Sequence, residues 1–263
     1  LWRIMIKIAF FDVDGTLLSH STNTIPESTI TGLKELKNKG VKIVVCTGRN
    51  PIEFKEIKPL QGIDFDGYIY MGGALSYCEE KVVSAYPVAK EDLQAIYHFQ
   101  KEKKVSMLAV EKDTQYINLI NDYTKSALAA VHIAHPPIGN FDQILIHDIY
   151  QFVFFPTKNE LEELNALLKN VLITSWNPYG YDLVHKDSGK GNAVKDVCKY
   201  YNIDLKDSLA FGDGENDIEM LETAGISVAM GNGISKLKDA SDYVTADIDE
   251  DGLYLALKHF QIL

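Results

Sequence analysis

Two short segments concentrate carboxylates in a way that could do chemistry. One is Asp12-Val13-Asp14-Gly15-Thr16; the other is Gly212-Asp213-Gly214-Glu215-Asn216-Asp217. Either alone reads as an ordinary Asp-Gly turn. Each directly follows a short apolar run, however, and if those runs are neighbouring strands then Asp12, Asp14, Asp213 and Asp217 converge. At ~4 Å and an effective dielectric of ~20, each like-charged pair costs about 4 kcal/mol. Such a cluster needs a cation or shared protons. An all-oxygen ligand set suits a hard ion, which makes Mg²⁺ the expected cofactor and zinc a poor fit.

The elements that must position these residues can be read from pattern. Met5-Ile6-Lys7-Ile8-Ala9-Phe10-Phe11 is too short for a helix and nearly continuous in apolar character, as a buried parallel strand is. A helix is expected next, with Pro26 near its start, Ile30, Leu33 and Leu36 on one face, and Gly40 as its stop. Residues 41–45 form a second buried strand that ends at Thr47-Gly48-Arg49. A helix over 51–58 and a strand over 67–71 follow. Near the other end, Val194, Val197, Cys198 and Tyr201 fall at helical spacing before the strand 208–211, a helix with Ile218 and Leu221, and the strand 226–230. A strand around Tyr243-Val244 and a last helix with Leu253, Ala256, Leu257 and Phe260 close the chain. Alternating strand and helix predict a doubly wound, parallel α/β sheet, in which ligands bind outside the carboxyl ends of the strands.

The middle reads differently. Helices are expected at about 90–103, 122–132 and 158–169, with strands at 105–110, 116–119, 151–155 and 171–174. This is an α+β domain inserted into the α/β domain. The expected division is a core of 1–86 and 184–263 and an insert of 87–183, with linkers near 84–90 and 183–189.

The ordered set of segments resembles the haloacid dehalogenase superfamily. Asp12-Val13-Asp14-Gly15-Thr16-Leu17 is similar to its first motif and Thr47-Gly48-Arg49 to its second. Lys190-Gly191 is similar to its third, and the 212–217 turn to its fourth. Within that superfamily the chain resembles the Cof-type phosphatases of subclass IIB, whose large cap lies between the second and third motifs. The stretches Met230-Gly231-Asn232-Gly233 and Ala240-Ser241-Asp242-Tyr243-Val244 fit the same type. One position departs from it: Gly72-Gly73-Ala74 stands where Asn-Gly-Ala is usual.

The resemblance implies a Rossmann-like core and a Mg²⁺-dependent phosphatase of small phosphorylated metabolites. Asp12 would be the nucleophile and Asp14 the general acid and base. Mg²⁺ would be held by Asp12, the Asp14 carbonyl and Asp213, with Asp217 acting mostly through water. Thr47, Gly48, Arg49, Lys190 and Asn216 would bind the phosphoryl group, with Thr47 and Lys190 also counted in the catalytic set. Plainer roles stand beside these: Thr47 as the cap of the next helix, Arg49 in a surface ion pair, Lys190 as a solvated lysine in a flexible turn. A phosphotransferase or sugar-phosphate mutase shares the first half-reaction, and a catalytically silent metabolite-binding protein is the third reading.

Other features weigh less. His132-x-x-His135 has metal-site spacing but borders Pro136-Pro137 and lacks partners. His185 and the aromatics Trp176, Tyr179 and Tyr181 could line a cleft or simply pack. Acidic residues over Asp247–Asp251 suit the start of the last helix.

Composition excludes several classes. The 263 residues carry 37 acidic and 26 basic side chains, a net charge of −11, which disfavours a nucleic-acid partner. Cys46, Cys78 and Cys198 are too few and too scattered for a disulfide framework or thiolate zinc site, and they fit a reducing cytoplasm. No apolar run approaches the ~18 residues of a membrane span. No signal-peptide pattern is expected, the four residues before Met5 being too few to carry one. A monomer is compatible with this organisation.

Overall fold

The computed structural model describes residues 5–60, 62–130, 135–177 and 180–263, with the side chains of 176 and 177 left aside. The expectations placed on His132, Tyr179 and the Trp176 ring therefore lie outside the described residues. The chain divides into two compact units, one of residues 1–84 and 189–263, the other of residues 85–188.

The first unit is built on an eight-stranded sheet. Its strands are β1 (Ile8–Phe11), β2 (Lys42–Cys46), β3 (Gly67–Tyr70), β4 (Leu75–Cys78) and β5 (Lys81–Ala85) from the first part of the chain. Three further strands of this sheet lie near the C-terminal end: Ser208–Gly212, Ile226–Ala229 and Tyr243–Val244. Strand β1 lies in the middle. All four of its side chains are fully buried, which is why its sequence is apolar throughout instead of alternating. From β1 the chain winds outward through β2 and β3 by parallel pairing, then returns to place strand 208–212 on the other side of β1. The direction of winding thus reverses at β1, and the crevice at such a switch point is where open α/β sheets bind ligands.

The edge beyond β3 is antiparallel. Glu79 and Glu80, both at positive φ (50° and 64°), make the two-residue turn from β4 to β5. With no glycine to mark it, this hairpin leaves little trace in the sequence.

Helices cover the sheet. Among them, α1 (Glu27–Asn38) buries Leu33 and Leu36, while α2 (Pro51–Lys55) is short. The helix Lys190–Tyr200 buries Val194, Val197 and Cys198 against Ile8, Phe10, Val44 and Cys46, closing the core beneath β1 and β2. All three cysteines are buried and unbonded.

The second unit carries five antiparallel strands: β6 (Ser106–Val110), β7 (Gln115–Ile117), β8 (Gln151–Phe155), β9 (Val171–Asn177) and β10 (Gly180–His185), in the order β7-β6-β8-β10-β9. Its helices are α3 (Lys90–Lys103), α4 (Asp122–Ala130) and α5 (Lys158–Asn165). Its own core gathers Leu93, Ile96 and Phe99 with Phe152, Phe154 and Leu183. No helix among the described residues is long and apolar enough to cross a membrane.

Gly72-Gly73 sits where the chain leaves β3. Gly73 has φ 103°, and a Cβ there would run into the backbone of Gly189, the residue just before Lys190. Gly72 has φ 61° but open space around its missing Cβ. Gly72→Ala is therefore expected to cost only the left-handed strain of about 1–2 kcal/mol. Gly73→Ala adds a collision between two backbones and is expected to lose clearly more in denaturant unfolding. Equal losses would mean that the Gly73–Gly189 approach relaxes freely.

Candidate active site

The carboxyl ends of β1, β2 and strand 208–212 lie side by side because β1 pairs in register with both neighbours. Phe11 pairs with Phe211, and the Asp12 amide donates to the Phe211 carbonyl at 3.0 Å. Asp12 thus emerges from the central strand next to the turn that carries Asp213. Asp12, Asp213 and Asp217 each offer an oxygen within 4.8 Å of the others.

Lys190 closes this group. Its Nζ donates to Asp12 Oδ1 at 2.6 Å and to Asp217 Oδ1 at 2.6 Å, with its side chain 1% exposed. The solvated-lysine reading is thereby overturned: the first residue of helix 190–200 points into the protein. Asp217 is fully buried, and its Oδ2 accepts from the amides of Asp213 (3.0 Å) and Gly214 (2.9 Å). That carboxylate therefore folds its own turn around itself as well as facing the cluster.

Three residues without an assigned role, Thr16, Gly15 and Asn232, fix the Asp213 side of the cluster. The buried Thr16 hydroxyl donates to Asp213 Oδ1 at 2.8 Å. At Gly15 a Cβ would collide with the Asp213 carboxylate, so the close approach of the two loops requires glycine. Asn232 completes the tie, donating from Nδ2 to the Gly15 carbonyl at 2.8 Å and accepting the Ile248 amide at 3.0 Å. Thr16 lies within the Asp-Gly-Thr segment and was legible as part of a motif; Asn232 carries no local signal for this bridge.

The second strand supplies Thr47, which is buried and accepts the Arg49 amide on its Oγ1 at 3.1 Å. Thr47 does not cap α2. Asn50 does, accepting the amides of Ile52 and Glu53, both at 3.0 Å, in a capping box with Glu53. The sequence Asn50-Pro51-Ile52-Glu53 spells that box and its Pro at the first helical position. Gly48 faces exposed Asn216, whose Nδ2 stands 3.9 Å from where a Gly48 Cβ would be. The expected convergence of four carboxylates is reduced to three: the Asp14 side chain turns to Arg49, which donates from Nε to Oδ2 at 2.8 Å and from Nη2 to Oδ1 at 2.7 Å.

Three carboxylates lie about one buried ammonium, which bonds two of them, Asp12 and Asp217. Burial, with the nearby Asp217, pushes the Asp12 carboxyl well above the usual carboxylate range against the pull of Lys190. Burial also lifts Asp213 to about 6, with the Thr16 hydroxyl opposing and Asp217 reinforcing. Burial works against the charge on Lys190, but Asp12 and Asp217 outweigh it and raise its pKa. An all-oxygen set with surplus negative charge fits a hard divalent cation.

Outside this cluster, His185 stacks near Tyr86 and accepts the Asp187 amide on Nδ1, and His135 is exposed. Tyr181 is partly buried against the core of the second unit. Asp247 accepts the Asp249 amide ahead of the final helix Gly252–His259.

A family model for haloacid dehalogenase-like hydrolases matches residues 9–257. The Bacillus subtilis protein YkrA, provisionally named a phosphatase, is 28% identical over 260 residues, covering 98% of each chain. Among solved structures, the subclass IIB sugar phosphatase BT4131 is 35% identical with a TM-score of 0.86, over 98% of this chain and all of the other. BT1666 from Bacteroides thetaiotaomicron, described as a phosphatase of the same superfamily, is 29% identical with a TM-score of 0.89, over 98% of this chain and 96% of the other.

The raised Asp213 carboxyl has a consequence for stability without metal. A carboxyl whose pKa is higher folded than unfolded favours the fold at low pH and loses that contribution as pH rises through its folded value, here about 6. In EDTA, Asp213→Asn is therefore expected to gain thermal stability relative to wild type between pH 4.5 and pH 7.5. Mg²⁺ at pH 7.5 should then stabilise wild type more than the variant. A Tm difference that stays flat with pH would contradict the assignment.

Proposed function

The chain belongs to the haloacid dehalogenase-like hydrolases, and on that footing we propose that it is a subclass IIB, Cof-type phosphatase of small phosphorylated metabolites, acting through phosphorylated Asp12. The observation that carries this reading is the buried Asp12 at the end of the central strand, held by Lys190 beside Asp213 and Asp217. Sugar phosphates are the first substrates to try, since BT4131 is a sugar phosphatase.

Asp12 attacks phosphorus through the oxygen not engaged by Lys190, and the bond from phosphorus to the ester oxygen breaks. Asp14, which must enter this step protonated, hands the departing oxygen its proton. Asp14 then takes a proton from water, whose oxygen attacks the phosphoryl group; the bond to Asp12 breaks and inorganic phosphate leaves. Lys190 keeps Asp12 aimed and adds positive charge, while the Thr47 hydroxyl, the Gly48 backbone, Arg49 and Asn216 surround the phosphoryl oxygens. Mg²⁺ held by Asp12, Asp213 and the Asp14 carbonyl, with Asp217 behind it through water, would supply further positive charge to the transferring group. A reducing cytoplasm is the proposed site of action, in keeping with three free buried thiols.

All of these residues belong to the first unit, so choice of substrate is assigned to the other, residues 85–188. Replacing that unit with its counterpart from a relative should re-rank phosphorylated metabolites by kcat/KM while leaving phosphorylation of Asp12 intact. A folded hybrid with the original ranking would return specificity to the first unit.

The reaction itself is tested by phosphate release from 4-nitrophenyl phosphate and a panel of sugar phosphates. Activity should disappear in EDTA and return with Mg²⁺. Asp12→Asn should lower turnover by at least about 10³-fold. Asp14→Asn should accumulate labelled phosphate on Asp12, seen by mass spectrometry. Transfer to an added alcohol with little free phosphate would favour a phosphotransferase, and full activity after chelation would remove the metal from the mechanism.

A further inference from the structure

We infer that Arg49 is a positioning residue for Asp14, setting the direction of its carboxylate; this deepens the phosphatase reading and rests on it. The backbone of Arg49 is fixed on both sides. Its amide donates to Thr47 Oγ1 at 3.1 Å, and its carbonyl accepts the Met71 amide at 3.0 Å. The side chain leaving this anchored residue meets Asp14 edge to edge, with Nε on Oδ2 and Nη2 on Oδ1 at 2.8 and 2.7 Å.

The need for such a fork follows from Asp14 itself. Its side chain is 32% exposed, so packing does not lock it. The last torsion of an aspartate is broad, with no staggered wells to define the carboxylate plane. One hydrogen bond would leave that plane free to rotate; two parallel bonds from a planar guanidinium fix it. The pair is too exposed, at 38% and 32%, to contribute much to stability, as solvated ion pairs do not. Its effect is geometric. Asp14 must present an oxygen to a departing group, and the guanidinium holds the carboxylate plane from which that oxygen projects. Arg49 uses two of its five N–H donors on Asp14, so a contact with a phosphoryl oxygen remains compatible with this role.

The test compares two esters of nearly the same shape, phenyl phosphate and 4-nitrophenyl phosphate, on the full chain. Phenol is the poorer leaving group and depends more on a well-aimed proton donor. In Arg49→Gln, kcat/KM is expected to fall at least tenfold more for phenyl phosphate than for 4-nitrophenyl phosphate. Arg49→Lys keeps the charge but not the fork. It should recover KM toward wild type while the gap in kcat/KM between the esters persists. Equal losses for the two esters, or closure of the gap by lysine, would overturn the inference and leave Arg49 a phosphate-binding charge. A crystal structure of Arg49→Gln reads the same point without turnover. The Asp14 carboxylate should leave the orientation seen here, and an unchanged carboxylate would overturn the inference even if no ester were hydrolysed. Failure of the wild-type protein to hydrolyse either ester would count instead against the phosphatase reading.

Discussion

The structure turns on one buried ammonium. Lys190 touches Asp12 and Asp217 at the same distance, 2.6 Å, and all three groups are almost out of solvent. Removing charges from water costs several kcal/mol per ion, and only close, well-bonded partners repay it. Asp217 meets that demand with two backbone amides in addition to Lys190. Asp12 is less well provided, and Asp213 has a hydroxyl from Thr16. The surplus negative charge therefore falls on the two carboxylates nearest the mouth of the crevice, where a cation and a phosphoryl group would be received.

The sheet exists in a form that makes this possible. With β1 in the middle, Asp12 is presented from the stiffest position available, a strand buried on both faces and paired on both edges. The flanking loops are then fitted to it by contacts that allow little slack: Gly15 under Asp213, Asn232 across to the Gly15 carbonyl, Gly73 against Gly189. Asp12, Asp14 and Asp213 sit on loops, but these loops are tied to their neighbours, so their side chains are held without a rigid element of their own, while Lys190 starts a helix.

How much of this could be read in advance depends on whether the deciding interactions were local. The strand β1 and its Asp turn were legible because burial on both faces leaves a continuous apolar run. Helix α3 runs over Lys90–Lys103, as its pattern indicates. Helix α5 stops at Asn165 instead of about 169, and the reason lies far away in sequence: the buried Asp92 carboxylate takes the amides of Lys169 and Asn170. Strand β7 ends at Ile117: the Asn118 amide still donates to the Met107 carbonyl, but the Met107 amide is taken by the Asn118 side chain, which also donates to the Val105 carbonyl. Strand β10 begins at Gly180, just after Asn177-Pro178, a turn signal present in the sequence, whereas the β4–β5 hairpin turns on Glu79-Glu80 and carries none. At the site, residue types gave Asp12, Asp213, Asp217 and Lys190. The turning of Asp14 toward Arg49 is a matter of side-chain direction, which spacing along a chain does not encode.

The partners at the centre of the site are distant in the chain: 178 residues separate Asp12 from Lys190, and 197 separate Thr16 from Asp213. Synthesis at ~5–20 residues per second puts roughly 10–40 s between the emergence of the two halves. Through that interval β1 has its neighbour β2 but one open edge, and an apolar strand with an unpaired edge is a template for wrong pairing. The nascent chain thus holds Asp12, the proposed nucleophile, from the start on a strand that is not yet safely paired. Docking of strand 208–212 closes that edge and brings Asp213 and Asp217 to Asp12, so the step that guards the growing polypeptide against wrong pairing also assembles the carboxylate cluster.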